Sequence, residues 1–201
     1  MNKSFIVLGP PGSGKGTQAK KLADYLKLTY FGTGDLMRRE AVKMTPLGIE
    51  FDKVWKNGKG NLVNDKLVER FVTNKLKLFD LNKGIVFDGY PRTIYQAQSL
   101  DKIFSDNSIL IIVLNLQVKT ESLIRRMETR KICSKCDEIY QDPGSKGIEK
   151  CQICNGKLIN RQEDEAQVLR KRITVYHQQT EPIIDYYKKK NVLINIDGEP
   201  P

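Results

Sequence analysis

The chain has 201 residues, 39% of them hydrophobic, and its 34 Lys and Arg against 24 Asp and Glu give a formal net charge of +10 at pH 7. That is enough chain and enough apolar content for one sizeable core with a small insert, and it excludes disordered, collagen-like and membrane-spanning classes. A pI near 9.4 leaves nucleic acid, anionic membrane surface and phosphorylated small molecules as candidate partners, without choosing among them. No apolar run approaches the roughly 18 residues of a membrane span, and Phe5 to Leu8 is shorter than a signal-peptide core of roughly 7 to 15 residues. A cytoplasmic location is the expectation.

In chain order, the apolar run Ser4 to Leu8 predicts a first strand, and Ala19, Leu22, Ala23 and Leu26 a helix after it. Leu28 to Phe31 predicts a second strand. Leu67, Val68, Phe71 and Val72 repeat the helical period behind Asn64, a good N-cap. Gly84 to Phe87 predicts a third strand, Ile94, Ala97, Leu100 and Phe104 a helix, and Ser108 to Leu116 a fourth strand. A long helix is expected from about Glu163 to Lys188, bent at Pro182, before a last strand over Val192 to Ile196. Alternating strands and helices argue for an α/β fold, and the continuously apolar strands for a parallel sheet covered on both faces. Between about Lys131 and Asn160 the pattern breaks among Gly, Pro, Asp and Lys, which reads as an inserted mini-domain.

The first strand runs into Gly9-Pro10-Pro11-Gly12-Ser13-Gly14-Lys15-Gly16-Thr17-Gln18. A glycine-rich turn between strand and helix lets successive backbone N–H groups and the helix N-terminus face a polyphosphate, with Lys15 reaching its outer phosphates. One departure from the general loop is Gly16 directly after Lys15, with Thr17 a position later.

All four cysteines fall in the insert, as Cys133-x-x-Cys136 and Cys151-x-x-Cys154 with fourteen residues between the pairs. That is the spacing of two knuckles closing one tetrahedral zinc site, and four thiolates leave no open position, so the metal is expected to be structural. Disulfides, or iron in place of zinc, are the alternatives. Asp137 and Asn155 follow the pairs where left-handed backbone is often wanted, and these residue types tolerate it.

The loop's Gly-x-Pro-Gly-x-Gly-Lys-Gly-Thr-Gln form resembles the nucleoside monophosphate kinases. Thr33-Gly34-Asp35-Leu36-Met37-Arg38, Asp88-Gly89-Tyr90-Pro91-Arg92-Thr93 with Gln96, Arg126 with Arg130, and Arg161 with Arg172 follow in order. Together they are similar to the adenylate kinases over nearly the whole chain. The resemblance implies a three-layer P-loop kinase fold with a five-stranded parallel sheet. It divides the chain into a core (residues 1–31, 64–128 and 165–201), an AMP-binding helical segment (32–63) and a small zinc-ribbon lid (129–164). It also implies the reaction MgATP + AMP ⇌ 2 ADP, in a monomer, with Mg²⁺ accompanying ATP and no nucleic-acid or membrane partner.

By the same resemblance, ATP lies against Gly12, Ser13, Gly14, Lys15, Gly16, Thr17, Arg130, Ile139, Tyr140 and backbone near Pro200. AMP lies against Thr33, Arg38, Asn61, Leu62, Val63, Gly89, Tyr90, Pro91, Arg92, Gln96, Arg161 and Arg172. Asp88 holds Mg²⁺ through water, while Lys15, Arg92, Arg126, Arg130, Arg161 and Arg172 clamp the phosphates, for which planar guanidinium suits better than ammonium. Thr33 with Gln96 matches the AMP pattern rather than that of relatives taking UMP or CMP, and a glutamine amide offers a donor and an acceptor to adenine's edge. Lys59-Gly60-Asn61 is about two residues longer than usual in the family, the gap between cysteine pairs is slightly shorter, and Glu163 stands where the family usually has Asp before Asp164. The chain stops at Pro200-Pro201 where the family continues into a helix.

Spacing adds that Arg126 and Arg130, if helical, share one face. The single histidine, His177, excludes any His-rich catalytic or metal constellation and reads as structural. An anionic phosphate acceptor needs no general base, so catalysis should consist of alignment and charge stabilisation. The rivals are a UMP/CMP kinase and, from another class, a basic zinc-ribbon protein binding nucleic acid. For the latter, lysines around the cysteines supply charge but Tyr140 is the one aromatic.

Overall fold

The computed structural model describes residues 3–57, 60–161 and 164–200. Lys59 and Glu163, at the AMP-side segment and the lid boundary of the sequence reading, and the terminal Pro201 lie outside the described residues. Five parallel strands, β1 (Lys3–Leu8), β2 (Thr29–Gly32), β3 (Ile85–Asp88), β4 (Leu110–Gln117) and β8 (Leu193–Asp197), form one sheet in the order β2-β3-β1-β4-β8. These are the five expected strands, displaced by a residue or two. The start of β4 shows why: Ser108 adopts a left-handed φ of 54° and Ile109 N donates to Phe104 O at 2.9 Å. Both residues close the preceding helix instead of starting the strand.

The helices are α1 (Lys15–Leu26), α2 (Thr33–Val42), α3 (Pro46–Asn57), α4 (Asp65–Leu76), α5 (Ile94–Asp106), α6 (Thr120–Thr129), α7 (Ala166–Val175) and α8 (Pro182–Lys189). They cover both faces of the sheet at β1 and β3, whereas β8 at the sheet edge has no buried residue and Ile194 is 52% exposed. On one face Ile6, Phe31, Phe87, Leu100 and Phe104 form the larger core, and on the other Val7, Val86 and Leu116 pack against Ala19 and Ala23 of α1. Edge-to-face contacts such as Phe87–Phe104, with centroids 5.6 Å apart, add orientation to burial. Asn64 caps α4 as expected, its side chain accepting from Lys66 N.

The long helix is bent one turn before its proline. Between α7 and α8, Tyr176–Thr180 form a π-turn in which Glu181 N donates to Tyr176 O, five residues back, at 2.9 Å. The widened turn precedes Pro182, which has no N–H to continue the α ladder. His177 sits on this turn, half exposed, with its ring nitrogen 2.8 Å from Glu181 Oε2.

Strand order reverses at β1, whose neighbours are β3 and β4, so the crevice beyond the carboxyl ends of the strands opens there. Register brings Gly32 and Val7 level with Asp88, placing the ends of β1, β2 and β3 around one mouth. The insert between α6 and α7 is a separate antiparallel sheet, β6-β5-β7, formed by β5 (Arg130–Cys133), β6 (Ile139–Gln141) and β7 (Leu158–Ile159). No helix among the described residues is long and apolar enough to cross a membrane.

Candidate functional site

The loop after β1 wraps as its glycines require: Gly12 and Gly14 have φ of 86° and 85°, and Ser13 N donates to Pro10 O at 3.1 Å. Lys15 opens α1 and folds back, its Nζ donating to Pro10 O at 3.3 Å. Withdrawal from water lowers its pKa to about 7, against the attraction of Asp88 and with help from Arg92, Arg172 and Arg130. An ammonium held this close to losing its proton is a site built for an anion. Ser13 Oγ is buried without a hydrogen-bond partner, a further polar atom that a phosphate would satisfy.

Gly16 has a steric reason. A Cβ there would lie 2.9 Å from Asp88 Oδ2, so Asp88 fills the space that the side chain after the loop lysine takes in the general P-loop. Asp88 Oδ2 also accepts from Tyr30 Oη at 3.0 Å. Tyr30 reaches it because Gly32 has no side chain, since a Cβ at position 32 would stand 2.6 Å from that hydroxyl.

Beside the loop is a cavity of about 540 Å³ into which Lys15, Arg38, Arg92, Arg161 and Arg172 converge. Arg92 Nε donates to Gly89 O at 2.8 Å, and Arg38 is paired with Asp35. Arg130 and Arg172 share Asp164: Arg130 Nε and Nη2 grip its carboxylate at 2.8 and 2.5 Å, and Arg172 Nη1 approaches to 3.3 Å. Sequence spacing does not mark Asp164 as the shared partner of arginines 34 and 8 residues away, because one carboxylate between two cations becomes visible only when the chain folds.

The same cavity is walled by Thr33, Gly89, Pro91 and Gln96 and by the 61–63 segment, with Val63 buried and Leu62 half-buried. Thr33 Oγ1, at the start of α2, is buried with no partner. Gln96 is 2% exposed. Its Oε1 accepts from Arg92 N and its Nε2 donates to Asp65 Oδ1, both at 2.8 Å. An amide has two N–H bonds and two lone pairs, so one of each remains at the cavity wall.

Four of the residues singled out by the sequence make contacts that their spacing does not show. Arg130 does not share a helix face with Arg126, because α6 ends at Thr129 and Arg130 opens β5 in extended conformation. Arg126 donates to Gly198 O and Glu199 O at 2.8 and 3.1 Å, and the Glu199 carboxylate accepts from Lys119 N and Ser122 Oγ. These contacts fasten the segment next to Pro200 onto α6. Tyr90 is 1% exposed and packs with Phe87 in the core, its hydroxyl donating to Gln96 O. Tyr140, next to Ile139 on β6, turns its hydroxyl to Cys151 Sγ at 3.3 Å.

The cysteines meet in the insert. All four Sγ atoms lie within 4.8 Å of one another, with Cys133–Cys154 at 3.4 Å and Cys136–Cys151 at 3.5 Å. A tetrahedron of metal–sulfur bonds of about 2.3 Å needs sulfurs roughly 3.8 Å apart, so this cluster fits a four-thiolate metal and not two disulfides. The two knuckles repeat one geometry: Asp137 N returns to Cys133 O with φ of 59°, and Asn155 N to Cys151 O with φ of 58°. Gly156 is obligatory here, because a Cβ would lie 2.5 Å from Cys133 Sγ. The hydrogen bond from Tyr140 pulls the Cys151 thiol down, while the neighbouring sulfurs push Cys136 and Cys154 up, as expected of four thiols crowded together.

The sequence model of the adenylate kinase family matches residues 7–192. Adenylate kinase of Methanocella arvoryzae is 42% identical over 200 residues, 97% of this chain and 91% of that protein. Adenylate kinase of Thermodesulfovibrio yellowstonii is 42% identical over 198 residues, covering 96% and 91%. A phosphate loop, a cavity of converging arginines and a four-cysteine insert are thus joined in one chain whose sequence matches that family throughout, and the protein belongs to the adenylate kinase family.

Proposed function

We propose that the protein transfers the terminal phosphoryl group of MgATP to AMP, giving two ADP, and that AMP rather than UMP or CMP is its acceptor. The observation that carries this reading is one cavity shared by the loop's Lys15, four arginines and the polar pair Thr33 and Gln96. The acceptor is itself a phosphate anion, so no general base is required, and the described site contains no histidine. Arg38, Arg92, Arg161 and Arg172 hold the two phosphate chains in line, and Lys15 with Arg130 answers charge on the transferring group. Backbone beside Pro200, fastened by Arg126 through the Gly198 and Glu199 carbonyls, borders the ATP base, with Ile139 and Tyr140 on the lid side.

Asp88, held by Tyr30, would receive the hydration shell of the Mg²⁺ that accompanies ATP, an ion that would supply neutralisation of phosphate charge. Cys133, Cys136, Cys151 and Cys154 hold a structural Zn²⁺. The AMP-side segment 32–63 and the lid 129–164 close over the core to keep water from the transferring phosphoryl. The protein works as a cytoplasmic monomer on nucleotides, and neither polymeric nucleic acid nor membrane is a partner. Most lysines lie away from the cavity.

The test is an acceptor screen. Purified protein with MgATP is expected to form ADP with AMP far faster than with UMP or CMP. No ADP from AMP alongside efficient phosphorylation of another monophosphate overturns the reading. Salt-sensitive RNA binding at micromolar protein would favour the nucleic-acid alternative instead.

A further inference from the structure

We propose that Asp65 is the specificity-positioning residue of the acceptor site: its carboxylate locks the Gln96 side-chain amide in the one orientation that reads adenine. The inference rests on the acceptor reading above and extends it to a residue outside the cavity's catalytic groups.

The Gln96 amide has two fixed neighbours with opposite demands. Arg92 N–H can only donate, and it points at Oε1 at 2.8 Å. The Asp65 carboxylate accepts from Nε2 at 2.8 Å through Oδ1, while Oδ2 accepts from Thr93 Oγ1 at 2.9 Å. Thr93 Oγ1 in turn accepts from Gln96 N at 3.2 Å. Both carboxylate oxygens are therefore occupied by groups at the start of α5, and the glutamine cannot turn its amide over without opposing N–H to N–H at Arg92 and oxygen to oxygen at Asp65. Thr180 Oγ1 donates to Arg92 O at 2.9 Å, so the backbone supplying the Arg92 N–H is itself pinned, from the π-turn.

Orientation decides which base is matched. In the locked state the remaining lone pair belongs to Oε1 and the remaining N–H to Nε2. Adenine presents the complement, an exocyclic N–H donor next to the N1 acceptor. A 6-oxopurine presents the reverse, an acceptor next to an N1–H donor, and would suit the turned-over amide. Position adds a reason for Asp65 to be the lock. It is the first residue of α4, one residue, the N-cap Asn64, beyond the 61–63 segment that walls the cavity. One side chain thus ties that wall to the start of α5.

The experiment compares kcat/KM for AMP and for inosine monophosphate, the matching 6-oxopurine nucleotide, in the parent, Asp65→Ala, Asp65→Asn and Thr93→Val. Mismatching a buried polar pair is worth tenfold or more, so Asp65→Ala is expected to lower the AMP-to-inosine monophosphate ratio at least about tenfold. The inosine monophosphate value falls less than the AMP value. Asp65→Asn keeps an oxygen facing Nε2 and is expected to restore most of the ratio. Thr93→Val, which frees Oδ2 but leaves the carboxylate, shifts the ratio in the same direction by less. If Asp65→Ala does not fold, an unchanged ratio in both other variants overturns the proposal. So does a folded Asp65→Ala in which both acceptors fall together, since a merely structural residue would act that way. A parent that prefers AMP while the ratio is immovable refutes only the role of Asp65. A parent that prefers UMP refutes the acceptor reading itself.

Discussion

Asp164 holds two arginines of the phosphate site at once, and Asp164→Asn removes the charge that lets them coexist. The carboxylate side chain is 5% exposed, and those of Arg130 and Arg172 are 14% and 19% exposed. At an effective dielectric near 20, a unit pair about 4 Å apart is worth roughly 4 kcal/mol, so the two pairs hold roughly 8 kcal/mol of gross attraction. Desolvation and repulsion between the guanidiniums cancel more than half of it, consistent with the 3–5 kcal/mol lost when one partner of a buried pair is removed. Asparagine keeps one acceptor oxygen, which places the expected loss near 3 kcal/mol. For a chain of this size that is a drop in Tm of roughly 6–12 °C.

The assay is thermal unfolding of parent and variant followed by circular dichroism, with and without tripolyphosphate. An added polyanion takes over the missing charge, so tripolyphosphate is expected to raise the Tm of the variant more than that of the parent. A variant Tm within about 2 °C of the parent, with equal response to tripolyphosphate, would show that solvent already screens these arginines and would refute the reasoning.

Two further outcomes follow from the geometry. Lys15 has a pKa of about 7 in the free protein, below its unfolded value, so at pH 8 it is mostly neutral, and an adjacent polyphosphate restores its charge. Binding of MgATP at pH 8 should therefore be accompanied by proton uptake, seen by calorimetry in buffers of different ionisation enthalpy, and a buffer-independent enthalpy contradicts this. Loss of the thiolate in Cys133→Ser should abolish bound zinc and lower Tm by more than about 5 °C, because metal binding is folding free energy, while the initial rate at low temperature falls less than about threefold. Equal heat stability of variant and parent would count against a structural metal.

Local signals sufficed where a single segment carries its own physics. Gly12, Gly14 and Lys15 announce a phosphate loop because only that backbone path needs those residues in that order. The two Cys-x-x-Cys pairs declare their cluster because each knuckle is closed by its own turn, at Asp137 and Asn155. The central strands β1 and β3 are legible because a strand buried on both faces must be continuously apolar, while the edge strand β8 stays largely exposed. Helix ends were less so: Arg130 has the spacing of a helix-face partner of Arg126, yet the antiparallel pairing of β5 with β6 and β7 draws it out of α6. Tyr140 reads as a lid aromatic over a nucleotide, and only the fold shows that its hydroxyl donates to Cys151 Sγ and accepts from Gln152 N.

Composition and motif thus determined the fold class, the phosphate loop and the four-cysteine insert, and of the six arginines and one lysine that they singled out, Arg38, Arg92, Arg161, Arg172 and Lys15 line one cavity. Tertiary structure alone decided which carboxylate answers which cation. Asp65, Asp88 and Asp164 look alike in the sequence, as acidic residues near helix starts or strand ends. Folding sets them against Gln96, Tyr30 and the Arg130–Arg172 pair, at separations of 31, 58, 34 and 8 residues. Hydrogen bonds and ion pairs act over about 3 Å of space whatever their distance along the chain. No periodicity records partners of that kind, and those partners orient the groups that would bind the substrates.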